Sequence, residues 1–193
     1  MPIYFWGDED GKRYHEAYFD VFPGVWRHGD WIEITPNGGA VIYGRSDATI
    51  NRRGLRLGSS EIYQAVEALP DVADSMVVDL EYLGRESYMP IFIVLSEGQE
   101  LDDLLRNKIR DAVRNGVSAR FIPDEIVSVA EIPRTLSGKK LEVPVKKLLL
   151  GGNPETVVNR DSMANPDSFD RFIAYAAERD GVSQLDVIKR LFE

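Results

Sequence analysis

One loop of the sequence combines several arginines with a glycine. This loop, GRSDATINRRGLRLGSSEIY at 44–63, has one acid within its positively charged part, Asp47, and four arginines: Arg45, Arg52, Arg53 and Arg56. Guanidinium groups match phosphate oxygens and ribose hydroxyls, and Gly54 lets a thin ligand pass close to the backbone. The pattern therefore indicates a local anion site. The alternative is a surface loop whose arginines form ion pairs with neighbouring acids.

A second loop, PRTLSGKK at 133–140, places a lysine directly after a Ser-Gly turn. Gly138 allows a sharp turn of the backbone, so that the ammonium of Lys139 can extend beyond the domain. An ammonium beside an attacking carboxylate and a phosphorus centre neutralises charge and orients the reactants, and both effects accelerate a reaction. From the residue alone, the alternative interpretation is a solvated lysine in a turn.

A third candidate lies in WRHGDW at 26–31, where Asp30 stands at the predicted start of a strand. A carboxylate at this position can accept hydrogen bonds from two sugar hydroxyls, although an aspartate there can also simply cap a turn. The flanking Trp26 and Trp31 are expected to pack in a core. His28 is a weak candidate for acid–base work, because the sequence names no partner for it.

Composition limits the possible functions and partners. The chain has 193 residues, a net charge of −9 and no cysteine, so disulfides, thiolate metal sites and a cysteine nucleophile are excluded. Its acidity disfavours a nucleic-acid partner, and its two histidines disfavour a multi-histidine metal site. Neither a secretory signal nor a long apolar segment is recognisable, so no membrane association is expected. The cytoplasm is the expected compartment.

Periodicity predicts an α+β fold, a small mixed sheet with flanking helices. Strands are predicted at 2–6, 25–35, 72–80, 88–95 and 123–129, with a hairpin over 30–43 and a turn at 84–86. Ser59 or Ser60 is predicted to cap a helix that ends near 69, and further helices are predicted over 100–115 and 143–150. The helix over 100–115 has an apolar stripe of Leu101, Leu104, Leu105, Ile109 and Val113. Two further helices are predicted, one beginning at 165–168 and one over 184–192.

Three segments together resemble the C-terminal part of the adenylate-forming acyl-CoA synthetases, most closely the members that act on acetoacetate. They are WRHGDW at 26–31, GRSDATINRRGLRLGSSEIY at 44–63 and PRTLSGKKLEVPVKKLL at 133–149. The resemblance keeps order and spacing from the first residues to about 166. Family members use MgATP to convert an acid to an acyl-adenylate and pyrophosphate, then transfer the acyl group to coenzyme A. Their small C-terminal domain swings between two poses, one for each half-reaction.

For the adenylation step, the resemblance implies roles for five residues. Lys139 matches the lysine that contacts the carboxylate and the α-phosphate side of ATP. Asp30 matches the aspartate that holds the ribose hydroxyls, and Arg45 matches the arginine that assists it. Arg56 corresponds to an arginine that meets phosphate. Asp47 falls at the hinge about which the small domain turns.

For the thioester step, the resemblance implies binding of coenzyme A. Gly54 corresponds to the glycine that admits pantetheine, with Arg53 beside it, and Arg114 lies where some relatives contact the nucleotide end of coenzyme A. The sequence departs from the family at two points. Ala48 stands where many relatives have a second acid, and Lys140 follows Lys139, so the choice of the reactive amine depends on register.

The resemblance also implies an organisation of the chain. Residues 1–46 are expected to be the last strands of a large N-terminal domain, 47–150 a mobile C-terminal α+β domain, and 151–193 a helical extension. No phosphate loop, adenine platform or acyl pocket is recognisable, so ATP and Mg²⁺ are expected to bind mainly to the large domain. The chain alone is expected to be inactive or nearly so. The alternatives are a ligase for another short acid, such as acetate or propionate, and a non-catalytic binding module.

Overall fold

The computed structural model describes residues 2–45, 50–52, 55–80 and 87–191, with side chains for all of these except 31, 43–45 and 180–191. The chain divides into two compact units, Met1–Asp47 and Ala48–Glu193. The predicted hinge residue Asp47, the predicted contacts Arg53 and Gly54, and the predicted turn at 84–86 lie outside the described residues.

The first unit contains a helix and a hairpin. Helix α1 is Lys12–Tyr18, and strands β1 (Asp30–Ile34) and β2 (Ala40–Arg45) pair antiparallel with a bulge between Trp31 and Ile32. The predicted hairpin over 30–43 is confirmed. Its turn is closed by a hydrogen bond of 2.9 Å from the amide of Thr35 to the carbonyl of Gly39.

Other expectations for the first unit are wrong. Residues 2–6 form no strand, because the ring of Phe5 packs against Tyr14 and Tyr18 of α1, with centroid distances of 5.6 and 5.8 Å. Helix α1 itself has no predicted counterpart. It begins where the carboxylate of Asp8 accepts backbone hydrogen bonds from Arg13 and Tyr14. Trp26 is not in a core, since 45% of it is exposed.

The second unit is built on a three-stranded mixed sheet. Strands β3 (Ile50–Arg52) and β4 (Leu55–Leu57) first form a short antiparallel hairpin. Strands β5 (Val72–Val77), β6 (Pro90–Leu95) and β7 (Glu125–Ser128) then form the sheet in the order β5-β6-β7. The pair β5/β6 is antiparallel and the pair β6/β7 is parallel.

Helices cover both faces of this sheet. Successive side chains of a strand point to opposite faces, and those of β6 are apolar, so both faces must be covered. On β6, Ile91 and Ile93 point into one core, which helices α2 (Ser59–Glu67) and α3 (Asp103–Gly116) cover. Phe92 points into the opposite core, which α4 (Glu142–Leu149) covers. The predicted α+β class, a small mixed sheet with flanking helices, is confirmed.

Two predictions about helices α2 and α3 need correction, one on a buried stripe and one on a cap. Helix α3 is capped by Asp102, whose side chain accepts from the amide of Leu105. Leu105, Ile109 and Val113 of its predicted apolar stripe are buried. Leu104 does not belong to the buried stripe and is exposed. Ser59 does not cap α2, because the cap position is Gly58 and the Ser59 hydroxyl donates to Glu142.

The last segment completes the second core. After a short helix, α5 (Pro154–Val157), one continuous helix, α6, spans Ser168–Leu191 where the sequence predicts two helices. Phe169 and Phe172 are fully buried, and Phe172 meets Phe92 with a ring-centroid distance of 4.7 Å. None of the helices in the described part of the chain combines the length and apolarity that crossing a bilayer requires.

Candidate active site

The residues before Lys139 form a tight turn. The amide of Gly138 donates to the carbonyl of Thr135 at 2.8 Å, and the amide of Thr135 donates to the carbonyl of Lys139 at 2.9 Å. The Lys139 amide donates to Thr135 Oγ1 at 3.1 Å. Gly138 has φ 81°, a left-handed conformation that strains any residue with a side chain. The Ser-Gly pair therefore serves the turn that the sequence predicts.

The two adjacent lysines have opposite environments. Lys140 Nζ lies 2.7 Å from Glu67 Oε1, 2.9 Å from Asp74 Oδ1 and 2.5 Å from the carbonyl oxygen of Ser75. Only 15% of the Lys140 side chain is exposed. Lys139 is exposed, and no ion pair of its ammonium is found within the described ranges. Of the two amines, only that of Lys139 is placed to reach a ligand.

The base of the turn is held by Asp74. Its Oδ2 accepts a hydrogen bond of 2.6 Å from Arg134 Nη2, while Arg134 Nη1 donates to the carbonyl of Gly138 at 2.7 Å. Partial burial raises the pKa of Asp74, but hydrogen bonds and charges from Arg134 and Lys140 outweigh this effect and leave the pKa below its usual value. Asp74 is therefore an anion held between two cations.

A second carboxylate, Glu142, ties α2 to α4 beside this cluster. Glu142 Oε1 accepts from Ser59 Oγ at 2.9 Å and from Tyr63 OH at 2.5 Å. Burial, and then the neighbouring charge and hydrogen bond of Glu142, raise the pKa of Tyr63 well above its usual value. Lys140 Nζ lies 3.9 Å from the centroid of the Tyr63 ring, a cation–π contact. The phenol is therefore a neutral support for Lys140.

Two arginines of the arginine loop, Arg52 and Arg56, have described side chains, and their environments differ. Arg52 forms hydrogen bonds of 3.0 and 2.9 Å to both carboxylate oxygens of Asp124, and another of 2.9 Å to the carbonyl of Ile122. Its guanidinium is thus engaged within the protein, as in the surface-loop alternative. Arg56 is exposed on β4, and its role as a phosphate contact stays a prediction.

In the first unit, the register of the hairpin brings the two residues that are predicted to bind the ribose opposite each other. Asp30 and Arg45 are directly paired positions on β1 and β2. His28 Nδ1 lies 2.8 Å from Asp30 Oδ2, so His28 has a partner that the sequence does not reveal. Since the histidine lies next to the carboxylate, it can orient that group toward a ligand. The ribose-binding roles themselves stay predictions.

Arg114, the predicted contact for coenzyme A, is near the end of α3. Its guanidinium forms an ion pair with Asp111, one turn earlier on the same helix, and about half of its side chain is exposed. An exposed pair of this kind contributes little to stability and can open for a ligand. Across the described residues, there is no group of three or more His, Asp or Glu side chains that could hold a metal ion.

Comparisons with known proteins bear on this arrangement. The model of the AMP-binding enzyme C-terminal domain matches residues 61–139, from helix α2 to the lysine at the end of the glycine turn. This chain contains an AMP-binding enzyme C-terminal domain. The resemblance to the C-terminal part of the adenylate-forming acyl-CoA synthetases is therefore confirmed.

Similarity extends beyond this domain. The chain is 43% identical over 172 residues to the acetoacetyl-coenzyme A synthetase of Rhizobium meliloti (strain 1021), covering 89% of this chain and 26% of that protein. It is 45% identical over 173 residues to the acetoacetyl-CoA synthetase of Danio rerio, covering 89% and 25%. The chain thus spans about a quarter of the length of these relatives.

Solved structures agree with the fold. The acetoacetyl-CoA synthetase from Streptomyces lividans superposes with a TM-score of 0.83 and 47% identity, covering 93% of this chain and 27% of that one. The amide bond synthetase McbA from Marinactinospora thermotolerans has a TM-score of 0.57 at 21% identity, over 75% of this chain and 28% of that one, and shows the fold alone.

The AMP-binding enzyme C-terminal domain of this chain contains residues at the turn that no sequence pattern reveals. Glu67, Asp74 and Tyr63 surround Lys140, and Arg134 contacts the turn backbone. They lie on α2, on β5 and in the loop before the turn. No short motif links them, so only the fold brings them together.

Proposed function

We propose that this chain is the C-terminal portion of a ligase that activates acetoacetate with ATP and transfers it to coenzyme A. The products are acetoacetyl-CoA, AMP and pyrophosphate. The observation that carries the proposal is the 43–45% identity to acetoacetyl-CoA synthetases over 89% of the chain. Because the chain spans about a quarter of those proteins, the proposal includes a large N-terminal domain as its partner.

In the first half-reaction, a carboxylate oxygen of acetoacetate attacks the α-phosphorus of ATP, and pyrophosphate leaves. We assign Lys139 to this step, because its ammonium is exposed on a glycine turn beside a lysine that is fully engaged. A positive charge there reduces the repulsion between the carboxylate and the phosphate and stabilises the charge that develops. Asp30 and Arg45, paired across the hairpin, are proposed to bind the ribose, and Arg56 a phosphate.

In the second half-reaction, the sulfur of coenzyme A attacks the acyl carbonyl, the thiol proton leaves to solvent, and AMP departs. We assign Gly54 and Arg53 to the path of pantetheine, and Arg114 to the nucleotide end of coenzyme A. Asp47 is proposed as the hinge between the poses for the two steps. Residues 1–46 belong in this proposal to the large domain, 47–150 to the mobile domain, and 151–193 to an extension whose first turns complete the core.

ATP and coenzyme A are substrates in this proposal. A magnesium ion bound with ATP neutralises phosphate charge, and we assign its ligands to the large domain. The groups that this chain brings to the phosphates in the proposal are the exposed ammonium of Lys139 and the exposed guanidinium of Arg56. The cytoplasm is the proposed compartment, since a chain of 193 residues without cysteine is suited to a reducing environment.

The test is a comparison of the two half-reactions in a full-length ligase that includes this chain. Acetoacetate-dependent ATP–pyrophosphate exchange measures adenylation, and transfer from supplied acetoacetyl-adenylate to coenzyme A measures the second step. Lys139→Ala should lower exchange about a hundredfold or more and leave transfer within about twofold. Lys147→Ala removes another exposed lysine, on α4, and should change neither rate. Equal loss of both steps in Lys139→Ala would contradict the assigned role.

Gly54→Leu provides the reciprocal variant. A side chain at this position should block the approach of the thiol while exchange continues, and loss of exchange together with transfer would contradict the assignment. Exchange with acetate or propionate but not acetoacetate would favour a ligase for another short acid. Exchange with none of these acids would favour the non-catalytic module. The isolated 193-residue chain should show no exchange.

A further inference from the structure

The turn that carries Lys139 is held by four charged side chains, here named the turn clamp: Glu67, Asp74, Arg134 and Lys140. Arg134 and Lys140 lie opposite each other at the base of the turn as bridge partners. Asp74 reaches both, with distances of 2.6 Å from its Oδ2 to Arg134 Nη2 and 2.9 Å from its Oδ1 to Lys140 Nζ. One carboxylate on β5 therefore joins both ends of the turn.

The clamp also reaches the peptide that precedes Lys139. Arg134 uses Nη2 for Asp74 and Nη1 for the carbonyl of Gly138, at 2.7 Å. Hydrogen bonds from a guanidinium are charge-assisted and depend on its planar geometry, so they fix orientation as well as distance. A continuous set of contacts thus runs from Asp74 to the backbone that sets the direction of Lys139.

The charges of the clamp balance internally. Glu67 and Asp74 contribute two negative charges, and Arg134 and Lys140 two positive charges, in a partly buried cluster where screening by salt is weak. The ammonium of Lys139 lies outside this balance. Arg134 and Lys140 therefore neutralise the two acids of the clamp, and the charge of Lys139 is left for a ligand.

We propose that Asp74 is a positioning residue for adenylation, which acts through Arg134 and Lys140 to fix the turn that presents Lys139. The inference rests on the function proposed above. An ammonium that must meet the reacting oxygens loses about a hundredfold in rate when it is displaced by about 1 Å. Thioester formation does not use Lys139 in that proposal, so it does not depend on Asp74.

The test uses Asp74→Asn, which keeps the shape of the side chain and removes its charge. In the full-length ligase, acetoacetate-dependent pyrophosphate exchange should fall about tenfold to a hundredfold, while transfer from supplied acetoacetyl-adenylate stays within about twofold. Asp71→Asn is the matched control. Asp71 precedes the same strand and pairs with Lys108 at 3.4 Å, away from the turn, and its variant should change neither rate.

Arg134→Gln is the second variant. It removes the contacts to Asp74 and Gly138 but leaves the pairs of Lys140 with Glu67 and Asp74, and it should show the same split between half-reactions. Circular dichroism verifies that each variant is folded. Equal loss of rate in both half-reactions, or unchanged pyrophosphate exchange in both variants, would overturn the positioning role of Asp74.

A readout without substrates separates this inference from the proposed function. In the 193-residue chain, hydrogen exchange at the amides of Gly138 and Lys139 reports the turn, because both amides donate to Thr135. Asp74→Asn should accelerate their exchange about tenfold, and Asp71→Asn should not. Unchanged rates in Asp74→Asn overturn the clamp whatever acid the ligase uses. Accelerated rates together with an inactive wild-type ligase overturn the proposed function and leave the clamp supported.

Discussion

Replacing each lysine of the pair by methionine should separate stability from catalysis. Methionine keeps an unbranched apolar side chain of similar length and removes the charge. In Lys140→Met, the ammonium contacts at 2.5–2.9 Å are lost, and Glu67 and Asp74 lose their shared cation. Lys139→Met changes an exposed side chain. The first substitution should destabilise the protein, and the second should leave stability almost unchanged.

The magnitude follows from the environment of Lys140. Removing one partner of a buried ion pair costs about 3–5 kcal/mol, and a hydrogen bond to a charged group contributes about 1.5–3 kcal/mol. Glu67 and Asp74 remain partly exposed, so water recovers part of this loss. We expect the free energy of unfolding to fall by about 2 kcal/mol, which lowers Tm by about 4–8 °C in a protein of this size. Lys139→Met should stay within about 0.5 kcal/mol.

Urea unfolding of the 193-residue chain, followed by far-ultraviolet circular dichroism, measures both variants against the wild type. An equal loss of stability in the two variants would refute the division of roles between the lysines. A Lys140→Met variant as stable as the wild type would also refute it, because the contacts of the Lys140 ammonium would then contribute nothing to the free energy of unfolding. Arg134 stays next to Asp74 in both variants, so the comparison isolates the lysine charge.

Two further perturbations test the packing of the second unit. Phe172→Ala should lower the free energy of unfolding by about 3–5 kcal/mol, because the ring is fully buried against Phe92, whereas Phe22→Ala at an exposed position should cost less than about 0.5 kcal/mol in the same urea titration. Burial, with the hydrogen bond to Glu125, raises the pKa of Tyr88 to about 12, so the stability that this phenol contributes is complete below pH 10 and is lost as the pH rises through 12. The difference in unfolding free energy between wild type and Tyr88→Phe should be constant up to pH 9 and change above pH 10, and a constant difference at pH 11 would contradict the shift.

Elements with a local signal were predictable from the sequence. The hairpin over 30–43 has alternating residues and a glycine turn, and α3 has buried residues at helical spacing with Asp102 at its start. Helix α1 was not predictable, because a seven-residue helix shows no clear period and no buried residue. The sequence predicts two helices where α6 is one, because the helix continues through a glycine, and glycine has a low helix propensity.

The candidate site was predictable only in part. A lysine after a Ser-Gly pair could be found from spacing, and the arginine-rich loop from composition. Which lysine is exposed, and that Arg52 pairs with Asp124, depend on contacts between residues far apart in sequence. Asp74 has no signal at all, since a single aspartate on a strand acquires meaning only through the two cations that the fold brings to it.

The central strand also has a consequence for how the chain folds. The face of β6 with Ile91 and Ile93 is covered by α2 and α3, whereas the face with Phe92 is covered by α4 and by Phe172 of α6, which follow later in the sequence. Contacts between distant segments form late, because closing a long loop costs more entropy. During synthesis, the apolar side chains of the Phe92 face thus stay partly exposed to water until α4 and then α6 pack against them. In that interval the nascent domain depends most on protection from aggregation.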